Sequence, residues 1–244
     1  DSGHVSMLLI SAAIFIFSSL FFSSRAGHLR HFILGLILGS VAYTKLQAVP
    51  IALVIAAMQI AVTLAPKDGL TLKRKITRLC FFAGGGILPS AILVLYLFFN
   101  RAFEAFWQEY VIYNSIYAAG GVHRITLDWW VKAIRFIRLI FDFLENSFFF
   151  IALFSSSLLG FVLLAWRSHI TAPRKYLIIF SLLLVASAVY AAAKPNNFFA
   201  YYTTIVFVPA VFLSGVFAGS ALDILESRHP PGMPRMRNSL LAVF

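Results

Sequence analysis

The sequence predicts an all-α fold, a polytopic transmembrane helical bundle of about seven spans with amphipathic interfacial helices on its extracytoplasmic face. Three observations predict it. Of the 244 residues 61% are hydrophobic and only 12% charged, whereas a soluble domain needs about a quarter charged residues to cover its surface. The apolar residues come in runs of about 20, which at about 1.5 Å per helical residue match a hydrocarbon core about 30 Å thick. The alternation expected of a β-barrel is absent. Backbone polar groups in lipid must be satisfied within the segment, so the runs are read as helices.

In chain order the expected spans cover about 5–24, 31–46, 48–65, 79–99, 146–166, 176–193 and 201–222, and the whole of 1–244 is read as one transmembrane domain. Short turns carry Lys45-Leu46-Gln47 and Lys194-Pro195-Asn196-Asn197; one long connection occupies about 100–145. The chain opens at Asp1 without a signal-peptide pattern. It ends at Asn238–Phe244, which reads as the first turns of another span, so it is expected to be a fragment.

Basic residues set the orientation. Arg25, Arg30, Lys67, Lys73, Arg74, Lys75, Arg78, Arg167, Arg174, Lys175, Arg228, Arg235 and Arg237 fall on one side if seven spans alternate. Only Lys45, Arg101, Arg124, Lys132, Arg135, Arg138 and Lys194 fall on the other. Acidic residues lean the opposite way, with Asp1, Glu104, Glu109, Asp128, Asp142 and Glu145 outside against Asp68, Asp223 and Glu226 inside. Asp1, the Lys45 turn, the long connection and the Lys194 turn are therefore expected on the extracytoplasmic face of an integral membrane protein, read as one of the bacterial inner (plasma) membrane.

Within the long connection, Asp128, Lys132, Arg135, Arg138 and Asp142 recur at helical spacing on one face. Trp129, Trp130, Ile134, Phe136, Ile137, Ile140 and Phe141 cover the rest, a pattern that suits a helix lying at a membrane interface. Residues 101–117 form a second amphipathic stretch, separated from the first by Gly120-Gly121. Two small-xxx-small pairs, Gly35/Gly39 and Gly215/Gly219, and the run Gly84-Gly85-Gly86 before Pro89 are expected to serve helix packing inside the chain. Cys80, the only cysteine, is read as a small packing residue and allows no intrachain disulfide.

The net charge of +11 does not indicate nucleic acid. The basic residues flank spans, where they report topology and contact with anionic lipid. The six histidines show no metal-ligand spacing; His28 and His31, three apart, have no carboxylate beside them in sequence. No cofactor is evident, and a divalent metal held by a preceding segment stays open.

Ionisable groups near the outer membrane edge are the informative candidates, because they are costly to place near lipid. Lys45 ends an apolar helix after Tyr43-Thr44 and precedes Gln47 and Pro50. It reads either as a lysine reaching to the interface or as a cation that holds a phosphate. Lys194 with Asn196, Asn197, Tyr201 and Tyr202 offers donors beside a cation, which suits a sugar or a phosphate as well as an aromatic interface belt. Arg124, Arg135 and Arg138 are candidate contacts for lipid phosphates, against a reading as solvated interface charge.

The segment Gly35–Pro50 resembles the G-x-x-x-G-(x)-K-x-Q-x-x-P span of GT-C type polytopic glycosyltransferases, most nearly the dolichyl-phosphate-mannose mannosyltransferase-like and RgtA/B/C/D-like bacterial groups. Tyr110-Val111-Ile112-Tyr113-Asn114 with Tyr117 is similar to their aromatic-Asn stretch. Phe198-Phe199-Ala200-Tyr201-Tyr202 through Pro209 is similar to their late aromatic-x-H-Y-Y…P span, with Ala200 where His is common. Asp1 resembles the acidic residue at the outer end of an early helix. The resemblance implies transfer of a sugar from a polyprenyl-phosphate donor to an unknown glycan, lipid or protein acceptor on the extracytoplasmic side. A carboxylate would act as general base and cations would offset charge on the departing lipid phosphate. It implies Lys45, Gln47, Tyr113, Asn114, Arg124, Arg135, Arg138, Lys194, Asn196, Asn197, Tyr201 and Tyr202 as substrate-binding candidates and Asp1 as a secondary acidic one. The principal base is expected in an outer loop that this fragment lacks. A multi-pass transporter, or a flippase or polymerase of lipid-linked saccharides, is the alternative class.

Overall fold

The structure, a computed structural model, describes residues 2–22, 27–66, 70–118, 128–145, 152, 155–160, 162, 172–194 and 203–226. These are helical apart from short connections, with no strand among the described residues. The long helices are α1 (Ser2–Phe22), α2 (His28–Thr44), α3 (Val49–Leu64) and α4 (Leu72–Phe99). A short 3-10 turn, Leu46–Ala48, joins α2 to α3. The long connection holds α5 (Phe103–Phe106), a π-helical stretch Trp107–Ile112, α6 (Tyr113–Ala118) and α7 (Trp129–Glu145). The chain continues into α8 (Ala172–Ala193) and α9 (Thr203–Glu226).

Five segments are long and apolar enough to cross a membrane: His4–Phe22, Leu46–Leu64, Leu72–Phe99, Arg174–Ala193 and Thr204–Ala221. They coincide with five of the seven expected spans. The stretch expected as a span at 31–46 forms α2, a helix of 17 residues, about 25 Å long at 1.5 Å per residue, which is not among those five. The one expected at 146–166 falls largely outside the described residues. Residues 155–160 within it are helical and pack on α9, through a Ser157–Ser214 hydrogen bond and Gly160 against Phe217. Large apolar side chains cover the outside of the bundle; on α4 alone Phe81, Ile87, Ile92, Leu95, Phe98 and Phe99 are exposed. An apolar surface of that extent calls for hydrocarbon around it.

The core is built by α1, α2, α3, α8 and α9. Ile10, Phe17, Leu34, Val41, Ile51, Ile55, Phe180, Leu184 and Ile205 are buried in one cluster. Phe17 meets Phe180 with ring centroids 4.5 Å apart, which sets the start of α8 beside the end of α1. Where α4 begins, Lys75 donates to the carbonyls of Leu64 and Ala65 at 3.0 and 2.7 Å. A cation thereby caps the open C-terminal carbonyls of α3 and meets the negative end of its dipole.

The closest contact in the bundle is between α2 and α4. A methyl group at Gly35 would overlap the Phe82 carbonyl, one at Gly39 the Gly86 carbonyl, and one at Gly85 the Phe32 carbonyl. The facing positions advance together along both helices, 35 with 82 and 39 with 86, so α2 and α4 run parallel. Inside a membrane apolar side chains gain little by leaving lipid for protein, and close backbone approach supplies the attraction instead. The other small-residue pair differs: a methyl group at Gly215 or Gly219 would meet no described atom within 4 Å. Cys80 also departs from expectation, since it is exposed on α4 and fills no core position.

Gly35→Ala and Gly85→Ala should each destabilise the bundle by about 1–3 kcal/mol through overpacking. Gly84→Ala, where a methyl meets only open space, should be neutral or slightly stabilising. Thermal unfolding of the three variants in one detergent checks this; equal effects at Gly84 and Gly85 would remove the seam from the account.

Candidate functional site

The end of the bundle where α2 stops collects most of the polar candidates that the structure describes. Helix α2 ends because Lys45 leaves helical geometry for an extended conformation (φ −162°, ψ 111°). Its N–H still bonds Val41 O at 3.1 Å, its carbonyl accepts from Ala48 N at 2.9 Å, and Thr44 Oγ1 donates back to Val41 O at 2.9 Å. Pro50, in the first turn of α3, needs no hydrogen-bond partner for its nitrogen there. The break between the two helices is therefore satisfied by its own backbone. It leaves the Lys45 and Gln47 side chains half-buried at the corner.

Two tyrosines fasten this corner to its neighbours. The Tyr43 and Ser90 hydroxyls hydrogen-bond at 2.6 Å, one turn beyond the Gly39–Gly86 contact on each helix. From the long connection, the Tyr110 hydroxyl donates to the Ala42 carbonyl, and its ring stacks on Phe106 with centroids 5.0 Å apart. Burial, with Tyr43 nearby as the second cause, raises the Tyr110 phenol above its usual range and keeps it a donor. Tyr110 sits in the π-helical stretch, a local widening found frequently at functional sites. The carbonyl it captures belongs to the last turn of α2, where acceptors lack helical partners.

Lys194 reaches the same end. Because α8 begins beside the end of α1, its far end returns toward the stop of α2, and α8 also packs on residues 46–48. Lys194 is exposed, and its ammonium stands 5.4 Å from the centroid of the Tyr190 ring, within the range of a cation–π contact. Tyr113 is exposed, whereas the Asn114 amide is turned back on its own helix, donating to Tyr110 O at 2.6 Å. Arg135 and Arg138 are exposed on α7, whose start carries the exposed Trp129 and Trp130. That helix touches α8 and α9 only lightly. Asp1, Arg124, Asn196, Asn197, Tyr201 and Tyr202 lie outside the described residues.

Tyr43, Ser90 and the Ala42 carbonyl were not singled out as site groups in the sequence. Their only sequence signal is register: Gly35, Gly39 and Tyr43 fall on one face of α2, and Gly86 and Ser90 on one face of α4. Chemically the corner offers a partly desolvated ammonium, an amide and phenol hydroxyls around the stop of a helix. Such a set recognises a phosphate or a polyhydroxyl group. No family model, curated protein or solved structure matches the chain.

Burial lowers the Lys45 ammonium below its ordinary 10.5. Folding thus disfavours the protonated form: the cost is fully present below the folded pKa and lifts as pH rises toward 10.5. Lys45→Met should therefore melt at or above the wild-type temperature at pH 7, with the gap narrowing as pH approaches 10.5. A variant that melts lower at pH 7 would show that Lys45 is a net stabilising contact.

Proposed function

We propose that this chain is part of a membrane glycosyltransferase that moves a sugar from a polyprenyl-phosphate donor to an acceptor on the extracytoplasmic side. The observation that carries the reading is Lys45, a cation held half-buried at a helix break with Gln47 nearby in sequence and the Tyr43 of a phenol–hydroxyl pair two residues before it. A free-standing lysine at an interface needs no such setting. A partly desolvated ammonium acts more strongly on a phosphate than a solvated one, because less water screens it.

In this reading the bundle has seven spans, α2 and the 146–166 region included, in the plasma membrane of a bacterial cell envelope. The end carrying Lys45 and Lys194 faces outward. The isoprenoid tail lies among the exposed apolar side chains of the bundle. Lys45 and Lys194 hold the donor phosphate and offset the charge it gains as the sugar leaves. Gln47, Tyr113, Asn114, Asn196, Asn197, Tyr201 and Tyr202 line the sugar and acceptor side. Helices α5 to α7 lie along the interface, with Arg124, Arg135 and Arg138 toward lipid headgroups. Asp1 is a secondary acidic group, and the carboxylate that deprotonates the acceptor hydroxyl is assigned to a segment outside this chain.

The test is transfer of labelled sugar from a synthetic polyprenyl-phosphate donor by the full-length protein in proteoliposomes. Lys45→Ala and Lys194→Ala should each lower kcat/KM at least tenfold, with Arg74→Ala at the opposite end of α4 unchanged. Wild-type rates in both lysine variants would remove their assigned roles. Donor movement across the bilayer without transfer would favour a flippase.

A further inference from the structure

The end of the bundle away from Lys45 gathers cations that the proposed reaction does not use. Several contacts bring its elements together. Helices α2 and α4 run parallel, and at their starts the His28 ring stacks on Phe81 with centroids 5.1 Å apart. Lys75 of α4 holds the Leu64 and Ala65 carbonyls at the end of α3. In the last turns of α3, Gln59 Nε2 lies 3.1 Å from His31 Nδ1 of α2 and donates to Thr63 Oγ1 at 2.9 Å. The start of α8 lies beside the end of α1, which leads into α2. There Arg174 donates to the Ser220 carbonyl of α9 at 3.3 Å.

At this end Arg30 on α2, Lys73 on α4 and Lys175 on α8 are exposed, and Lys75, Arg78 and Arg174 are half-buried. The acidic side chains among the described residues, Glu104, Glu109 and Asp128, all belong to the long connection. The sequence sets only Asp68, Asp223 and Glu226 against the cations on this side. Like charges crowded at the edge of a low-dielectric body repel more strongly than in water, so this end calls for anions from outside the chain. The neighbours of the cations select the anion. Leu29 precedes Arg30, Leu72 precedes Lys73 and Tyr176 follows Lys175; all three are exposed, as are Ile76 and Phe81 further along α4. A soluble anion would neutralise the cations and leave this apolar rim in water. An anionic phospholipid covers both, with its headgroup on the cations and its chains along the exposed side of α4.

We propose that the starts of α2, α4 and α8 form a surface for anionic phospholipid, with Arg30, Lys73 and Lys175 as its headgroup contacts. The surface is independent of the reading of the Lys45 corner.

The test compares thermal unfolding of the full-length protein in nanodiscs of phosphatidylglycerol and of phosphatidylcholine with the same acyl chains. The wild type should melt about 5 °C higher in phosphatidylglycerol, and the gap should narrow as salt is raised. The triple variant Arg30→Gln/Lys73→Gln/Lys175→Gln should lose most of the gap. The charge-conserving triple Arg30→Lys/Lys73→Arg/Lys175→Arg should keep it. No gap in the wild type, a gap undiminished in the Gln triple, or its loss in both triples would each overturn the surface. The same gain from inorganic phosphate added to phosphatidylcholine discs would also overturn it. If the Gln triple does not fold, Lys73→Gln and Lys175→Gln should each narrow the gap, and an unchanged gap in both would count equally against it.

Discussion

The structure depends first on the absence of side chains at Gly35, Gly39 and Gly85. Each lets a backbone carbonyl of the facing helix approach where any Cβ would collide. Water is absent from the hydrocarbon core, so burying a leucine there gains little over leaving it in lipid. Contact between α2 and α4 must come from dispersion and weak Cα–H···O interactions summed over a short distance. Only glycine permits that distance. The same contact fixes register, because a shift of one residue would drive Leu34 or Leu36 into the α4 backbone.

Register at the seam determines what happens one turn further out. The face that presents Gly35 and Gly39 presents Tyr43 next, and the facing side of α4 passes from Gly86 to Ser90. The Tyr43–Ser90 hydrogen bond is thus the continuation of the glycine contact in polar form. It holds the stop of α2 in place, and Tyr110 attaches the long connection to the Ala42 carbonyl there. The polar corner around Lys45 is a consequence of apolar packing below it. At the opposite end of the bundle, Lys75 on the α3 carbonyls and the His31–Gln59–Thr63 cluster hold α3 between its neighbours.

Much of the fold was legible in sequence because hydrocarbon imposes one simple constraint, a run of apolar residues long enough to cross it. Five such runs became helices, α4 starting at Leu72 and so ahead of the span expected at 79–99, and the Lys45 break was marked by Gln47 and Pro50. What the sequence left open has a common physical origin. Helical spacing reveals which residues share a face, and it says nothing about which face of another helix they meet. Gly35/Gly39 found a partner and Gly215/Gly219 met no described atom, though the two patterns read alike. His31 and Gln59 are 28 positions apart on different helices, so no local pattern pairs them. His31 opens the span expected at 31–46, and a single histidine at the start of an apolar run carries no sign of burial. Cys80 read as a small packing residue for the complementary reason: lipid-facing positions tolerate the same small apolar residues as the interior.

The central claim is that α2 and α4 are in backbone contact, and the separation of their axes tests it most directly. Packed helices with ordinary side chains between them lie about 8–10 Å apart. An experimental structure of the protein in nanodiscs should place the α2 and α4 axes closer than about 8 Å around Gly35–Gly39, with Gly39 opposite Gly86 and Tyr43 opposite Ser90. Axes 9–10 Å apart, or Gly35 and Gly39 turned toward lipid, would contradict the account.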